Sequence, residues 1–315
     1  MSQYAFGVDV GGTTVKIGLF DREGELLEKW EIPTRIENKG ERILPDAAES
    51  LLEKMKERGI REEDLIGIGV DVPGTVDDEG TLTGGAANIS GWENVSIPEV
   101  IQAYIKVPVK AANDANAAAF GEMWKGGGRG HENVVAVTLG TGVGGGIIVN
   151  GSILTGANGS GGEIGHIHIQ DGEEEACGCG KRGCLEQYTS ATGIVRLARR
   201  RLAKDEAPSV LREGTEPLSA KSVFDAVKAG DPVAIEIAEQ FGEYLGKGLA
   251  AVACTVNPEA FVIGGGVSKA GEILLDFVRE PFRKYVFPMC SNVEFVLAKL
   301  GNDAGIVGAA GMILR

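Results

Sequence analysis

The stretch ENVVAVTLGTGVGGGIIVNGSILTG, residues 132–156, repeats in outline the opening YAFGVDVGGTTVKIGLFDREGELLEKW, residues 4–30. Each reads as strand, glycine turn, strand, turn, strand, and each puts its first turn directly after the first strand. That turn is D-x-G-G-T in the opening copy and L-G-T-G in the second. Internal repetition of this kind constrains a fold more than any local propensity, because one supersecondary unit has been used twice. Helices follow each copy, so the pattern predicts an α/β fold of two similar domains facing a cleft. We place a smaller N-terminal α/β domain at 1–113 with 298–315, and a larger C-terminal one at 114–297.

The elements between the repeats agree with this reading. Ile43, Ala47, Leu51 and Met55 recur at helical spacing, so 41–58 is expected to be an amphipathic helix. LIGIGVDVPG reads as a strand covered on both faces. Residues 98–105 read as a helix, VPVKAAND as a short strand and ANAAAFGEMWKG as the helix after it. Residues 186–250 are mostly helical in pattern. AFVIGGGVSKAGEILLDFV reads strand, glycine turn, helix, VEFVLAKL is a last strand, and AGIVGAAGMILR is a closing helix whose small residues permit close approach to a neighbour. The 48 glycines fall at the ends of β-branched runs, where tight turns against ligands are built.

At 315 residues the chain can form two full cores. Its net charge of -14 argues against nucleic acid as the main partner, because phosphate backbones require a basic surface. There is no basic and apolar leader and no apolar run of membrane-spanning length, so the expectation is a cytoplasmic protein without membrane partners. Five cysteines, three of them within eight residues, point to a metal site rather than a disulfide framework.

Three loops resemble cradles for phosphate or nucleotide: 9–13, 140–146 and 264–266. Backbone N–H groups in such turns converge on anions. Gly140, Gly142 and Gly145 satisfy G-x-G-x-x-G, but a strand follows instead of a helix, which rejects the dinucleotide fold. No G-x-x-x-x-G-K-[ST] occurs. A pair of β-hairpin phosphate loops remains, with the third loop beside the nucleoside. Asp9, at the end of the first strand, is suited to the Mg²⁺ of a nucleotide, or simply to capping a turn. Asp114 follows Asn113 where a strand gives way to an alanine-rich helix. Its plain role is a helix cap or first-turn carboxylate. The same place is where open α/β sheets bind ligands, so Asp114 could take a proton from an attacking sugar hydroxyl while Asn113 bonds sugar hydroxyls.

GEIGHIHIQDGEEEACGCGKRGCLEQY, residues 162–188, holds three of the five cysteines and two of the three histidines. His166, Cys177, Cys179 and Cys184 form a set suited to closed, tetrahedral Zn²⁺, and His168 competes with His166 by spacing. Such a site would be architectural. It would pin a loop that carries Glu163 at one end and Glu186 at the other, two carboxylates suited to a polyhydroxylated substrate.

Taken together, D-V-G-G-T-T-V-K, L-G-T-G-V-G-G-G, G-E-I-G-H followed by C-G-C-G-K-R-G-C-L-E, and I-G-G-G-V-S resemble the ROK family of sugar kinases and repressors over essentially the whole chain. Within it the chain is most similar to bacterial ATP-dependent glucokinases. The resemblance implies an actin-like, ribonuclease-H-type pair of domains (the hexokinase-type sugar kinase fold) and transfer of the γ-phosphate of ATP to the 6-hydroxyl of glucose, with Mg²⁺ accompanying ATP. It implies Asp114 as general base, with Asn113, Glu163, His166, Glu186, Gly74 and Asn88 at the sugar. It implies structural zinc on His166, Cys177, Cys179 and Cys184. It also implies that Gly7, Val8, Asp9, Val10, Gly11, Gly12, Thr13 and Thr14, with Thr138, Gly140, Thr141, Gly142 and Gly144, hold phosphates, with Gly265 and Gly266 beside the nucleoside. Family members are usually homodimers or homotetramers. Mannose, fructose, allose, N-acetylglucosamine and N-acetylmannosamine are the rival acceptors, and polyphosphate is the rival donor. A sugar-sensing repressor would carry a DNA-binding module before the D-x-G-G-T loop. Here that loop starts at Asp9 and the chain is acidic, so a kinase is expected.

Overall fold

The computed structural model describes residues 3–84, 89–213 and 217–315. They form two compact units. Unit 1 is Met1–Gly130, Gly146–Gly162 and Leu300–Arg315, and unit 2 is His131–Gly145 and Glu163–Lys299. The cut differs from the 113/114 division expected from sequence, and the reason is packing, given below for helix 114–125.

In unit 1, β1 (Tyr4–Val10), β2 (Thr14–Asp21) and β3 (Leu26–Pro33) form an antiparallel meander. Helix α1 (Ile43–Arg58) buries Ile43, Ala47, Leu51 and Met55, as its spacing predicts, and stops at Gly59 in a left-handed conformation. β4 (Leu65–Val72) and β5 (Val109–Asn113) then join in parallel, giving the sheet order β3-β2-β1-β4-β5. α2 (Ile97–Gln102), begun by the Ser96 cap, precedes β5, and α3 (Asp114–Lys125) follows it without a break.

The second copy runs β6 (Val134–Leu139), β7 (Val143–Val149) and β8 (Ser152–Ile153). Its third strand is far shorter than the opening copy's. In unit 2 helices α4 (Glu186–Thr189), α5 (Ala191–Lys204), α6 (Ala220–Lys228) and α7 (Pro232–Val256) lead to β9 (Ala260–Gly264). Then come α8 (Glu272–Tyr285) and β10 (Glu294–Leu297). β9 is parallel to both β6 and β10. The sheet order β8-β7-β6-β9-β10 reproduces that of the first sheet strand for strand. The repeat seen in sequence is therefore a repeat of topology.

The chain ends with α9 (Ala304–Leu314), which returns to unit 1. Its small residues serve the approach expected of them. A Cβ at Gly7 would collide with the carbonyl of Ile306, one at Gly69 with that of Ala309, and one at Gly308 with that of Ala117. Backbones of β1, β4 and α3 thus lie directly on α9. This contact is why α3 belongs to unit 1 and not to the domain that follows it in sequence. Strand alternation does the rest. Val8, Val10, Ile68, Val70 and Val72 point into the core shared with α1, while Gly7, Asp9, Gly69 and Asp71 face α9.

Candidate active site and metal cluster

The parallel strands β1, β4 and β5 of unit 1 all end at one edge of the sheet, where ligands bind in open α/β sheets. Asp9 and Asp71 are register partners on β1 and β4, and Val72 partners Asn113 on β5. After Asp9 the chain makes a tight turn in which the Gly11 N–H donates to the Thr14 carbonyl at 3.0 Å. Thr34 braces the turn through its hydroxyl, which donates to the Gly11 carbonyl at 2.7 Å. Gly12 and Thr13 at the tip are exposed. Gly7, Val8 and Val10 were expected to hold phosphate and do not present themselves for it. They are buried in β1, the valines in the core and Gly7 under α9. The part of the loop open to an anion is Gly11–Thr14, with Asp9 behind it and Lys16 paired to Asp9 Oδ2 at 3.3 Å.

Asn113, not Asp114, is the N-cap of α3. Its Oδ1 accepts from the N–H groups of Ala115 at 2.9 Å and Asn116 at 3.2 Å. Its Nδ2 donates to the Gly74 carbonyl at 3.0 Å and to Asp114 Oδ1 at 2.8 Å. Every polar atom of the Asn113 amide is thus committed to positioning, and Gly74, at φ 107, enters through its carbonyl. Asp114 Oδ1 also accepts from the Ala115 N–H at 2.8 Å. Among the described residues its Oδ2 has no hydrogen-bond partner, and the residue is exposed to solvent. Burial pushes the Asp114 carboxyl above its ordinary value, the Asp9 charge adds to this, and the bonds from Ala115 and Asn113 oppose it. A carboxylate with one oxygen fixed, the other free and a raised proton affinity is equipped to accept a proton. Asn88 lies outside the described residues.

Asp71 was not among the residues expected at the site. It is fully buried, and among the described residues neither of its oxygens has a hydrogen-bond partner. Burial, then the charges of Asp9 and Asp114, push its carboxyl well above the ordinary range. A signal for it exists in the sequence. The tetrapeptide Gly-Val-Asp-Val occurs at 7–10 and again at 69–72, and the two copies lie in register on adjacent parallel strands.

Unit 2 holds the second loop. Thr138 and Thr141 are exposed around the turn between β6 and β7, where the Gly140 N–H donates to the Gly142 carbonyl at 3.0 Å. The first turn of α5 clamps this loop. The Ala191 N–H donates to the Gly140 carbonyl at 2.8 Å, and the Thr192 hydroxyl to the Thr141 carbonyl at 2.9 Å. Gly264 is the register partner of Thr138, and Gly265, at φ 84, lies so close to the Leu139 backbone that a Cβ would not fit. Gly266 has open space where a side chain would stand. Gly144 lies within β7. The glycine turns after β6 and β9 are therefore neighbours.

His166, Cys177, Cys179 and Cys184 come together with their ligand atoms all within 4.8 Å of one another. The Cys177 sulfur is 3.7 Å from His166 Nδ1, and those of Cys179 and Cys184 are 3.6 Å apart. That is too long for a disulfide. Ligands about 2.0–2.3 Å from one tetrahedral ion stand roughly 3.5–3.8 Å from each other, so the spacing fits Zn²⁺. Burial and the neighbouring thiols push Cys184 up to about 12, a crowding that a cation would relieve. The choice between histidines is decided by hydrogen bonds. Both ring nitrogens of His168 are taken, one by the Arg182 carbonyl at 3.0 Å and one by Asp171 at 2.9 Å.

The cluster carries the two expected carboxylates. Glu163 Oε2 is 4.0 Å from His166 Nε2, the ring nitrogen turned away from the sulfurs. Glu186 opens α4, accepts from the Val143 N–H at 2.9 Å and meets the Cys177 thiol at 3.5 Å. A Cβ at Gly142 would strike the Glu186 carboxylate, so the glycine turn after β6 touches the start of α4, next to the cysteine loop, at this residue. Behind them lies a support that the sequence did not disclose. Glu173, nearly buried, bonds Tyr188, Arg200 and the Glu175 N–H.

A model of the ROK family matches residues 5–315. A glucokinase of Halalkalibacterium halodurans is 43% identical over 310 residues, which cover 98% of this chain and 94% of that protein. A glucokinase of Thermotoga maritima is 39% identical, with 98% and 96% covered. Among solved structures, a ROK family glucokinase from Streptomyces griseus in complex with glucose and AMPPNP superposes with a TM-score of 0.72. It is 35% identical, with 98% of each chain covered. Among the described residues no helix is long and apolar enough to cross a membrane.

Proposed function

The chain belongs to the ROK family, and we propose that it works as a glucokinase, transferring the γ-phosphoryl group of ATP to the 6-hydroxyl of glucose. The observation that carries the chemistry is Asp114, held at the first turn of α3 with one oxygen tied and the other free. Asp114 takes the proton of the 6-hydroxyl as that oxygen bonds to phosphorus. The bond from phosphorus to the β,γ-bridging oxygen breaks, and ADP leaves with its electron pair. The transition state is loose, so a carboxylate positioned in line is a sufficient base. Asn113 acts by positioning Asp114, because its amide is already committed. Glu163, Glu186 and the Nε2 of His166 face sugar hydroxyls, and a site of such groups discriminates against sugars lacking a partner for each. Gly11–Thr14 in unit 1 and the 138–144 segment in unit 2 hold phosphates. Asp9 holds Mg²⁺, which supplies charge neutralisation at the phosphates. Zinc on His166, Cys177, Cys179 and Cys184 is structural, since four protein ligands leave no open position.

The test is phosphorylation by the purified protein with ATP across glucose, mannose, fructose, allose, N-acetylglucosamine and N-acetylmannosamine, with polyphosphate as the alternative donor. Glucose with ATP gives the highest kcat/KM. Asp114→Asn lowers kcat about 10²–10⁴-fold with little change in KM. Preference for an N-acetylated sugar would refute the substrate and leave the base assignment standing. Binding of glucose without turnover would refute the kinase.

A further inference from the structure

Resting on the reading that Asp9 serves a nucleotide-bound Mg²⁺, we propose that Asp71 is the second carboxylate of that cation's site. A fully buried carboxylate without a single hydrogen bond is costly, and native structures keep one only where a partner arrives. Here the missing partner is defined by what lies around it. The neighbour across the parallel ladder is Asp9, another carboxylate. Ionised together, the two carboxylates offer each other no donor and repel, so in the free protein the raised Asp71 carboxyl keeps its proton beside Asp9, and a cation is what would let both ionise. Lys16 does not resolve the conflict, because its ammonium sits on Asp9 and on the Asn302 carbonyl.

The space for a cation is on the same face. A Cβ at Gly305, in the first turn of α9, would lie 2.9 Å from Asp9 Oδ2 and 3.2 Å from Asp71 Oδ2. The two oxygens thus converge on a position kept clear by the absence of a side chain. Mg²⁺ is commonly held by one or two carboxylates together with substrate phosphates and water. Asp9 is partly exposed beside the phosphate loop, and Asp71 lies deeper behind it. In this arrangement Asp9 is the outer ligand, and Asp71 is the inner one that fixes where the cation stops. The repeat of Gly-Val-Asp-Val then has a reason. The glycine admits α9, the valines fill the core, and the aspartates meet at one ion.

The experiment is a Mn²⁺ titration of the purified protein, with free Mn²⁺ read from its paramagnetic resonance signal, in the absence and in the presence of AMPPNP. Wild type, Asp71→Asn and Gly305→Ala are compared. Asp71→Asn keeps the shape of the side chain, and Gly305→Ala keeps both carboxylates but fills the space between them. We expect wild type to bind Mn²⁺ without nucleotide and both variants to bind at least about 10-fold more weakly. A folded Asp71→Asn that binds Mn²⁺ with the wild-type Kd overturns the proposal, as does a wild type that binds none. Should Asp71→Asn fail to fold, an unchanged Kd in Gly305→Ala overturns it. The kinase reading is tested apart from this, by ATP-dependent phosphorylation of glucose by wild type. Mn²⁺ binding that depends on Asp71 without turnover would keep the cation site and refute the kinase.

Discussion

Replacing Glu173 by Gln tests how the cysteine loop is held to the helices behind it. Only 2% of the Glu173 side chain is exposed. Arg200 meets it bidentately at 2.8 and 3.0 Å, and Tyr188 donates to it at 2.5 Å. The Arg200 guanidinium and then the Tyr188 hydroxyl hold the carboxyl down at about 2, against an ordinary 4.5. At about 1.4 kcal/mol per pH unit this difference is worth about 3.4 kcal/mol near pH 7. Arg200 is 45% exposed, so screening by solvent reduces the figure to about 2–3 kcal/mol. The folded value lies below the unfolded one. The contribution is therefore complete above about pH 5 and is lost as pH falls from 4.5 towards 2, with less than half left at about pH 3. Gln cannot ionise and has no such dependence. The assay is native-state hydrogen exchange of residues 175–190, comparing opening free energies of wild type and Glu173→Gln at pH 7, 5 and 3. Comparing the two proteins at each pH cancels the acid protonation of the cysteines, which they share. The gap should be about 2–3 kcal/mol at pH 7 and 5 and about 1 kcal/mol at pH 3. A gap that stays constant with pH would show that Glu173 acts through shape alone and would refute the electrostatic account.

Metal analysis of the purified protein should find one zinc per chain, lost in His166→Asn and retained in His168→Asn, since both His168 ring nitrogens already have partners. Retention of zinc in His166→Asn would overturn that ligand set. Cys179→Ser should lower zinc content and raise the KM for glucose more than that for ATP, because Glu163, His166 and Glu186 hang on the cluster; an equal change in both would place the damage elsewhere. Gly308→Ala should destabilise unit 1 by about 1–3 kcal/mol or more, because its Cβ has no room against the Ala117 carbonyl. Trp30, Trp92 and Trp124 all lie in unit 1, so the loss reads directly as a lowered Tm by tryptophan fluorescence, and an unchanged Tm would contradict the close approach of α9.

The topology was legible because period-2 and period-3.6 patterns report which face is buried, and the repeat reported that one answer serves twice. The clustering of His166, Cys177, Cys179 and Cys184 was legible because soft side chains are rare in this chain and sit in one segment. The unit boundary was not, since it depends on α3 packing against α9, residues nearly two hundred positions apart in sequence. The roles of Gly7, Val8 and Val10 were misplaced for a related reason. A motif read as a string gives each of its residues to the ligand, whereas a strand gives alternate residues to opposite faces. The capping role of Asn113 was not legible, because local sequence does not say whether an amide at a strand–helix junction points outward or spends its hydrogen bonds on the cap.

The same alternation explains why the phosphate-side edge of unit 1 tolerates so much acid. The Asp9 charge raises the proton affinity of both Asp71 and Asp114, and that of Asp114 adds to it at Asp71, so neither carboxyl gains from these neighbours in folding alone. A face built only for stability would carry a small or apolar residue in place of Asp71, as Gly69 does on the same face of β4. The glycines opposite point the same way. At Gly305 a Cβ would stand 2.9 Å from Asp9 Oδ2 and 3.2 Å from Asp71 Oδ2, so α9 meets the two carboxylates through a residue without a side chain. Three neighbouring carboxylates are unfavourable to the empty protein. On the proposed function they become consistent with one another when the phosphates of a nucleotide and their cation occupy the strand ends, which would place the cost in the free state and the compensation in the complex where phosphoryl transfer occurs.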